Sequence, residues 1–172
     1  AHLPAIARGE SIVTLAVDEG PRHAPANTAL TAEKSGNTFT LSGEKTFVME
    51  GMTADTFITA ARTSGASGET AGITLFLVPA SAGGVSRTAI GTFDSRGYAR
   101  VTFDNVKVSA DAVLGSVDQG WPTLDATLDC AAAGLSAEML GTASHAFDMT
   151  LDYLKTRKQF GQLIGSFQTL GH

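Results

Sequence analysis

The chain is nearly without cysteine, and its histidines are not clustered. Its one cysteine, Cys130, excludes an internal disulfide, and it lies in a helix-periodic apolar stretch where an inert buried thiol is expected. His2, His23, His145 and His172 are scattered, so no ligand spacing supports a metal centre. No apolar run is long enough to span a bilayer, and no basic-then-apolar start marks a signal peptide, so the chain reads as soluble and cytoplasmic. No Gly-x-Gly-x-x-Gly follows a strand and opens a helix, which withdraws a Rossmann dinucleotide site. Basic charge is also in deficit: the net charge of −5 argues against a nucleic-acid partner.

What is present suits a globular protein. Hydrophobic residues make up 43% and charged residues 17% of the 172 positions, enough for a core and too apolar for disorder. That length fits one domain, or one domain and a piece of another. Residues 1–10, a Pro-broken apolar piece, read as the tail of a missing helical domain. Residues 11–115 read as a β domain. Its strands are expected at Ser11–Asp18, Thr28–Lys34, Thr38–Leu41, Lys45–Met49, Asp55–Arg62, Ile73–Pro79, Gly84–Ile90 and Tyr98–Val108. Ser35-Gly36-Asn37 has tight-turn composition, Gly43 permits a bulge, and the Gly- and Pro-rich Glu19–Ala26 is a loop. Short, evenly spaced strands with no helical period between them predict an antiparallel Greek-key barrel or sandwich.

Residues 116–172 read differently. Pro122 suits the first turn of a helix. Leu124, Leu128, Ala131, Leu135, Met139, Ala143, Phe147, Leu151 and Leu154 then recur at three- and four-residue steps as one apolar stripe. A helix running to about Arg157 would be roughly 50 Å long at 1.5 Å per residue. It needs partner helices, so a truncated helical-bundle domain is expected and the fold class is α+β.

The last stretch, Tyr153–His172, is expected to break the helix, stop at Gly161 and start a second amphipathic piece at Gly165-Ser166-Phe167-Gln168. Arg157 carries a charged fork suited to pyrophosphate. Phe160 offers a stacking face, and Gln168 both a donor and an acceptor. Each also has an ordinary role, as a helix C-terminal cation, a core aromatic and a surface amide.

Arg157-x-x-Phe160-Gly161 followed by an apolar pair and Phe167-Gln168 resembles the FAD-contacting segment of the acyl-CoA dehydrogenase family. Gly43-Glu44-Lys45-Thr46-Phe47-Val48, Ala54-Asp55, Ala61-Arg62, Gly72–Val78 and Val101–Val108 resemble the family's middle-domain runs in the same order. The resemblance covers nearly the whole chain, and details are closest to small subunits of pimeloyl-CoA-type enzymes. It implies FAD as cofactor, acyl-CoA as substrate, an oligomer built through the helical domain and an electron-transfer acceptor. The family's Thr-Glu-Pro and Gly-Ser flavin contacts are replaced here by Asp18-Glu19-Gly20 and His23-Ala24, leaving the backbone amides of Val17 and Asp18 in that role. Phe47 and Met49 stand where the family usually has a flavin-packing Trp and a hydroxyl donor. Arg157, Gln159, Phe160, Phe167 and Gln168 are assigned to the adenosine-diphosphate half of the cofactor, and Leu128 and Asp129 to the substrate. Asp129, with Asp125, Asp148 and Asp152, also reads as a solvated acidic helix face.

In most of the family the catalytic carboxylate lies beyond the segment matched here. In a minority it sits at the position matched by Ala131, so no catalytic residue is assigned. Ala132 likewise replaces a usual Arg. A non-catalytic partner subunit, contacting a neighbour's FAD, is therefore a second implied role. Arg96 and Arg100 read as a solvated strand edge, or as cations for a CoA phosphate or the flavin.

Overall fold

The computed structural model describes residues 2–94 and 96–171; Ala1 of the expected tail and His172 of the final segment lie outside it. Two compact units divide the chain, Ala1–Leu124 and Asp125–His172. Before the β part, α1 (Leu3–Ala7) forms a single helical turn with Pro4 in its first turn, where proline is tolerated.

The first unit is a sheet of eight strands. They are β1 (Val13–Ala16), β2 (Thr31–Ser35), β3 (Thr38–Met49), β4 (Thr56–Arg62), β5 (Ile73–Pro79), β6 (Val85–Ile90), β7 (Tyr98–Ser109) and β8 (Val113–Leu114). Hydrogen-bonded neighbours follow the order β6-β7-β3-β2-β4-β5-β8, with β1 pairing β4 off that path. Two features correct the sequence reading. β1 and β4 run parallel, as does the single Thr31↔Arg62 bridge of β2 to β4, so the sheet is mixed and not wholly antiparallel. The path also has two ends, β6 and β8, where a closed barrel has none. The α+β class is as expected.

Curvature comes from the backbone. Gly36 takes a positive φ in the two-residue β2–β3 turn, as a tight hairpin of this length needs. The strands expected at Thr38–Leu41 and Lys45–Met49 are one continuous β3, because its breaks are bulges that bend pairing without ending it. Gly43 sits at φ 144, and a Cβ there would lie 2.9 Å from the Leu30 Cα. The second bulge, between Lys45 and Val48, holds Phe47 at φ 51.

Bending brings strands that are not paired into contact through the core. Phe39 of β3 meets Phe76 of β5 edge-on at 5.0 Å, and Phe57 of β4 meets Phe103 of β7 at 6.3 Å. Leu41, Val48, Val78, Val101 and Val106 fill the space around these rings. The hydroxyl of Thr59, also fully buried on β4, has no hydrogen-bond partner among the described residues. Because an unpaired buried hydroxyl costs about 1–3 kcal/mol, Thr59→Val is expected to leave stability unchanged or raise it by about 1 kcal/mol, read from the urea midpoint.

Helix α2 (Trp121–Thr156) has 36 residues, or about 54 Å at 1.5 Å per residue. Its polar side carries Glu138, His145, Asp148, Asp152 and Lys155, all exposed. The apolar surface is wider than one narrow stripe: Leu140 and Phe147, seven residues apart, are exposed on one side and Met149 on another. A helix with so wide an apolar face belongs in the interior of a larger body. Cys130, expected to be buried, is exposed; it lies five full turns before Asp148 and so on the polar side. Among the described residues no helix is long and apolar enough to cross a membrane.

The helix ends at Thr156, in keeping with the expected run to about Arg157, and the segment expected to stop at Gly161 is a hairpin: β9 (Lys158–Gln159) pairs antiparallel with β10 (Gln162–Leu163). The turn residues Phe160 and Gly161 take φ 53 and 81, the double positive φ of a type I′ hairpin. A 3-10 turn, Ile164–Ser166, and the short α3 (Gln168–Gly171) close the chain.

Candidate functional site

In the first unit, the expected site residues gather where the chain leaves β1. The Thr46 amide donates to the Asp18 carbonyl at 2.7 Å, which ties the loop to β3 beside the bulge. Asp18 turns its carboxylate inward on its own loop, accepting from the Ala24 amide at 3.2 Å and facing His23 Nδ1 at 2.9 Å. Val17 is buried and Asp18 half-buried.

Two charged residues that the sequence reading passed over hold this corner. Lys45 is 0% exposed, and its Nζ donates to the Val17 carbonyl at 2.8 Å and to Glu19 Oε1 at 2.6 Å. Glu19 in turn accepts from the amides of Ala29 and Leu30 at 2.9 and 3.0 Å. Burial pushes the Lys45 pKa below the ordinary lysine value, and the Glu19 carboxylate opposes that shift. The signal was available, since Lys45 falls in phase with the inward Phe39 and Leu41, where a charge has no ordinary place.

Beside the corner lies a hollow of about 340 Å³ lined by Glu19, Pro21, Glu44, Phe47, Ile90 and Arg100 among others. Phe47 is 46% exposed because the bulge holds it outside the sheet, with its ring edge-on to Tyr98 at 6.4 Å. Met49, at a neighbouring outward position, is 43% exposed; its carbonyl accepts from Thr14 and its sulfur lies 4.0 Å from Arg96 Nη1. Arg100 pairs with Glu44 at 3.1 Å, both side chains being about half exposed. The geometry thus sets Val17 and Asp18 beside the Phe47 bulge through Thr46 and Lys45, while Met49 is held to Thr14 and Arg96. The exposed Phe47 ring suits one face of a flat aromatic group, while Met49 offers it no hydrogen-bond donor.

The remaining expected site residues belong to the second unit. Arg157 sits between the end of α2 and the hairpin; its amide donates to the Tyr153 carbonyl, and its carbonyl accepts from Ile164 at 2.9 Å. The side chains of Arg157, Gln159 and Gln168 are exposed. Phe160, offered by the sequence as a stacking face or a core aromatic, is 93% exposed at the hairpin tip and meets Phe167 edge-on at 6.3 Å. A cation, two amides and an aromatic pair set around one tight turn make a donor set that fits an anionic diphosphate carrying a flat base. Leu128 is half-buried and Asp129 exposed on α2; Asp125, Asp148 and Asp152 are likewise exposed. Among the described residues no group of three His, Cys, Asp or Glu side chains is placed to hold a metal ion.

Comparison with known proteins identifies the family. Residues 18–106 match the family model for the acyl-CoA dehydrogenase middle domain, and residues 118–172 match that for the acyl-CoA dehydrogenase C-terminal domain. The mitochondrial short/branched chain specific acyl-CoA dehydrogenase of Rattus norvegicus is 35% identical over 147 residues, covering 82% of this chain and 33% of the relative. A probable acyl-CoA dehydrogenase from Mycobacterium abscessus superposes with a TM-score of 0.92 at 25% identity, over 99% of this chain and 46% of that one. A glutaryl-CoA dehydrogenase from Mycobacterium smegmatis, solved in complex with FADH2, gives 0.86 at 25% identity, over 98% and 43%. The chain therefore spans less than half the length of each of these proteins. With a curled sheet followed by one long helix, and both domain models matched in order, this chain belongs to the acyl-CoA dehydrogenase family.

Proposed function

We propose that this chain is the middle domain, residues 11–115, and the start of the helical domain, residues 116–172, of a cytoplasmic FAD-dependent enzyme that introduces an α,β double bond into an acyl-CoA thioester. The observation that carries the reading is the ordered match of two domain models along one chain. When bound, FAD would supply the acceptor for the hydride that leaves the β-carbon as a base removes the α-proton. The chain's own part is holding and orienting. Phe47 packs on the flavin ring system, and the backbone at Val17 and Asp18 borders it. Arg157, Gln159, Phe160, Phe167 and Gln168 grip the adenosine-diphosphate half, with Arg157 supplying the positive fork. Leu128 and Asp129 lie along the pantetheine. The apolar, exposed sides of α2 take partner helices in a homo- or hetero-oligomer, and an electron-transferring protein accepts the electrons.

A second reading is favoured by Met49, which cannot donate a hydrogen bond, and by Ala131 and Ala132, which bring neither base nor cation. In that reading the chain is a non-catalytic partner, like the small subunit of a pimeloyl-CoA-type enzyme, and Arg157 serves the neighbour's FAD. One titration serves both. The protein in its native assembly is purified, its flavin absorption recorded, and FAD affinity measured for wild type and Arg157→Ala. Losing a charged hydrogen-bonding partner worth about 1.5–3 kcal/mol is expected to weaken FAD binding roughly tenfold to a hundredfold. Flavin colour without a partner chain supports the first reading, and colour gained only with one supports the second. Unchanged affinity in Arg157→Ala would refute the role given to the hairpin.

A further inference from the structure

Lys45 is the most fully enclosed charge among the described residues of the first unit. Replacing a whole buried ion pair by apolar side chains is often neutral or stabilising, so packing alone does not account for a lysine here. Its contacts show where the cost goes. The ammonium does not bridge two strands of the core. Instead it reaches the Val17 carbonyl at 2.8 Å and Glu19 Oε1 at 2.6 Å, both on the segment that leaves β1. The next residue, Thr46, binds the Asp18 carbonyl at 2.7 Å, and Glu19 holds the amides of Ala29 and Leu30 across the loop. Three successive residues, 17, 18 and 19, are thereby pinned to two successive residues of β3, one step before the bulge that turns Phe47 outward.

We propose that Lys45, acting through Glu19 and the Val17 carbonyl, is a positioning residue that sets the Val17–Asp18 backbone against the outward Phe47 ring at the edge of the adjoining hollow. The inference rests on the FAD reading given above, because the group so positioned is the flavin-contacting backbone. Lys45 touches no ligand itself. Its ion pair fixes the spacing between the loop and the bulge, so that a flat ring meets both without a prior rearrangement.

The experiment uses the protein in its native assembly with FAD as the probe. Lys45→Met removes the ammonium and keeps the stem; Glu19→Gln weakens the same tie with less damage and decides the matter where Lys45→Met does not fold. Val78→Ala, a core change away from the corner, serves as the stability control. Three quantities are read on folded protein: FAD affinity, the position of the bound flavin's visible band, and its reduction potential. FAD binding at least tenfold weaker in Lys45→Met and weaker in the same direction in Glu19→Gln, with a moved band or potential, supports the inference, provided Val78→Ala alters none of them. Wild-type flavin properties in both corner variants overturn it and leave the FAD reading standing. A wild-type assembly that binds no FAD overturns the FAD reading and this inference with it.

Discussion

Replacing Arg62 by alanine is expected to destabilise the first unit by about 3–5 kcal/mol, since several carbonyls lose their donor at about 1–3 kcal/mol for each left unpaired, seen as a fall in the urea midpoint at constant slope. Arg62 is buried at the end of β4 and spends its fork on backbone. Nε donates to the Thr28 carbonyl at 3.1 Å, Nη1 to Ala71 at 2.7 Å, and Nη2 to Ala26 and Glu69 at 3.0 Å each. Truncation removes this donor from the Thr28, Glu69 and Ala71 carbonyls, while Ala26 keeps its bond from the Gly68 amide, and it loosens the loop around residues 26–28 from that around residues 69–71, which Ser67 and Gly68 still join. Lysine restores only part of the loss, because an ammonium lacks the planar fork that spans carbonyls on both sides. Arg100→Ala makes the contrast. Its exposed pair with Glu44 is expected to be worth about 0.5 kcal/mol or less. Equal effects at the two arginines would show that Arg62 is not the clamp its geometry describes.

Phe76→Ala is expected to cost about 3–5 kcal/mol, the range for removing a buried aromatic ring. Phe76 is 0% exposed, and its edge-on contact with Phe39 joins β5 to β3 across the core, two strands that share no backbone hydrogen bonds. The ring is thus part of what keeps the sheet curled, and the cavity left behind has rigid walls on both sides. Phe93→Ala, by comparison, alters a fully exposed ring and is expected to shift stability by less than about 0.5 kcal/mol. Thermal or urea unfolding of the two variants side by side tests the assignment, and a loss below about 1 kcal/mol in Phe76→Ala would contradict it.

Much of the first unit was legible because strand alternation is a local property. Phe39, Leu41, Phe57, Val101 and Phe103 occupy every other place in runs rich in β-branched residues, and each lies inside. The Gly36-Asn37 turn and the start of α2 near Pro122 are likewise written in neighbouring residues. The end of α2 near Arg157 was legible, but the hairpin after it was not, because Lys158 to Phe160 are tolerable helix residues; it becomes visible only in the pairing of Gln159 with Gln162 and the positive φ at Phe160. Cys130 was misjudged for another reason. Its neighbours in sequence are apolar, but in the helix it stands five turns before Asp148, on the polar side.

The candidate site divides the same way. Arg157, Phe160 and Gln168 were conspicuous as residue types in a short window. Lys45 and Glu19 were not, although they lie closest to the heart of the corner, because neither explains the other until β1 and β3 are folded together.

The amino-acid order by itself determined which side chains turn inward along each strand, where the hairpin of residues 31–49 reverses, and that a long helix follows the β part. Those features depend on residues a few places apart and on backbone preferences that any chain carries with it. Tertiary structure alone decided that β1 lies parallel to β4, that the sheet path stays open at β6 and β8, and that a buried lysine finds its carboxylate 26 positions away. Each of these joins distant segments, and the energy that selects it, from burial and pairing of charge, exists only once those segments meet.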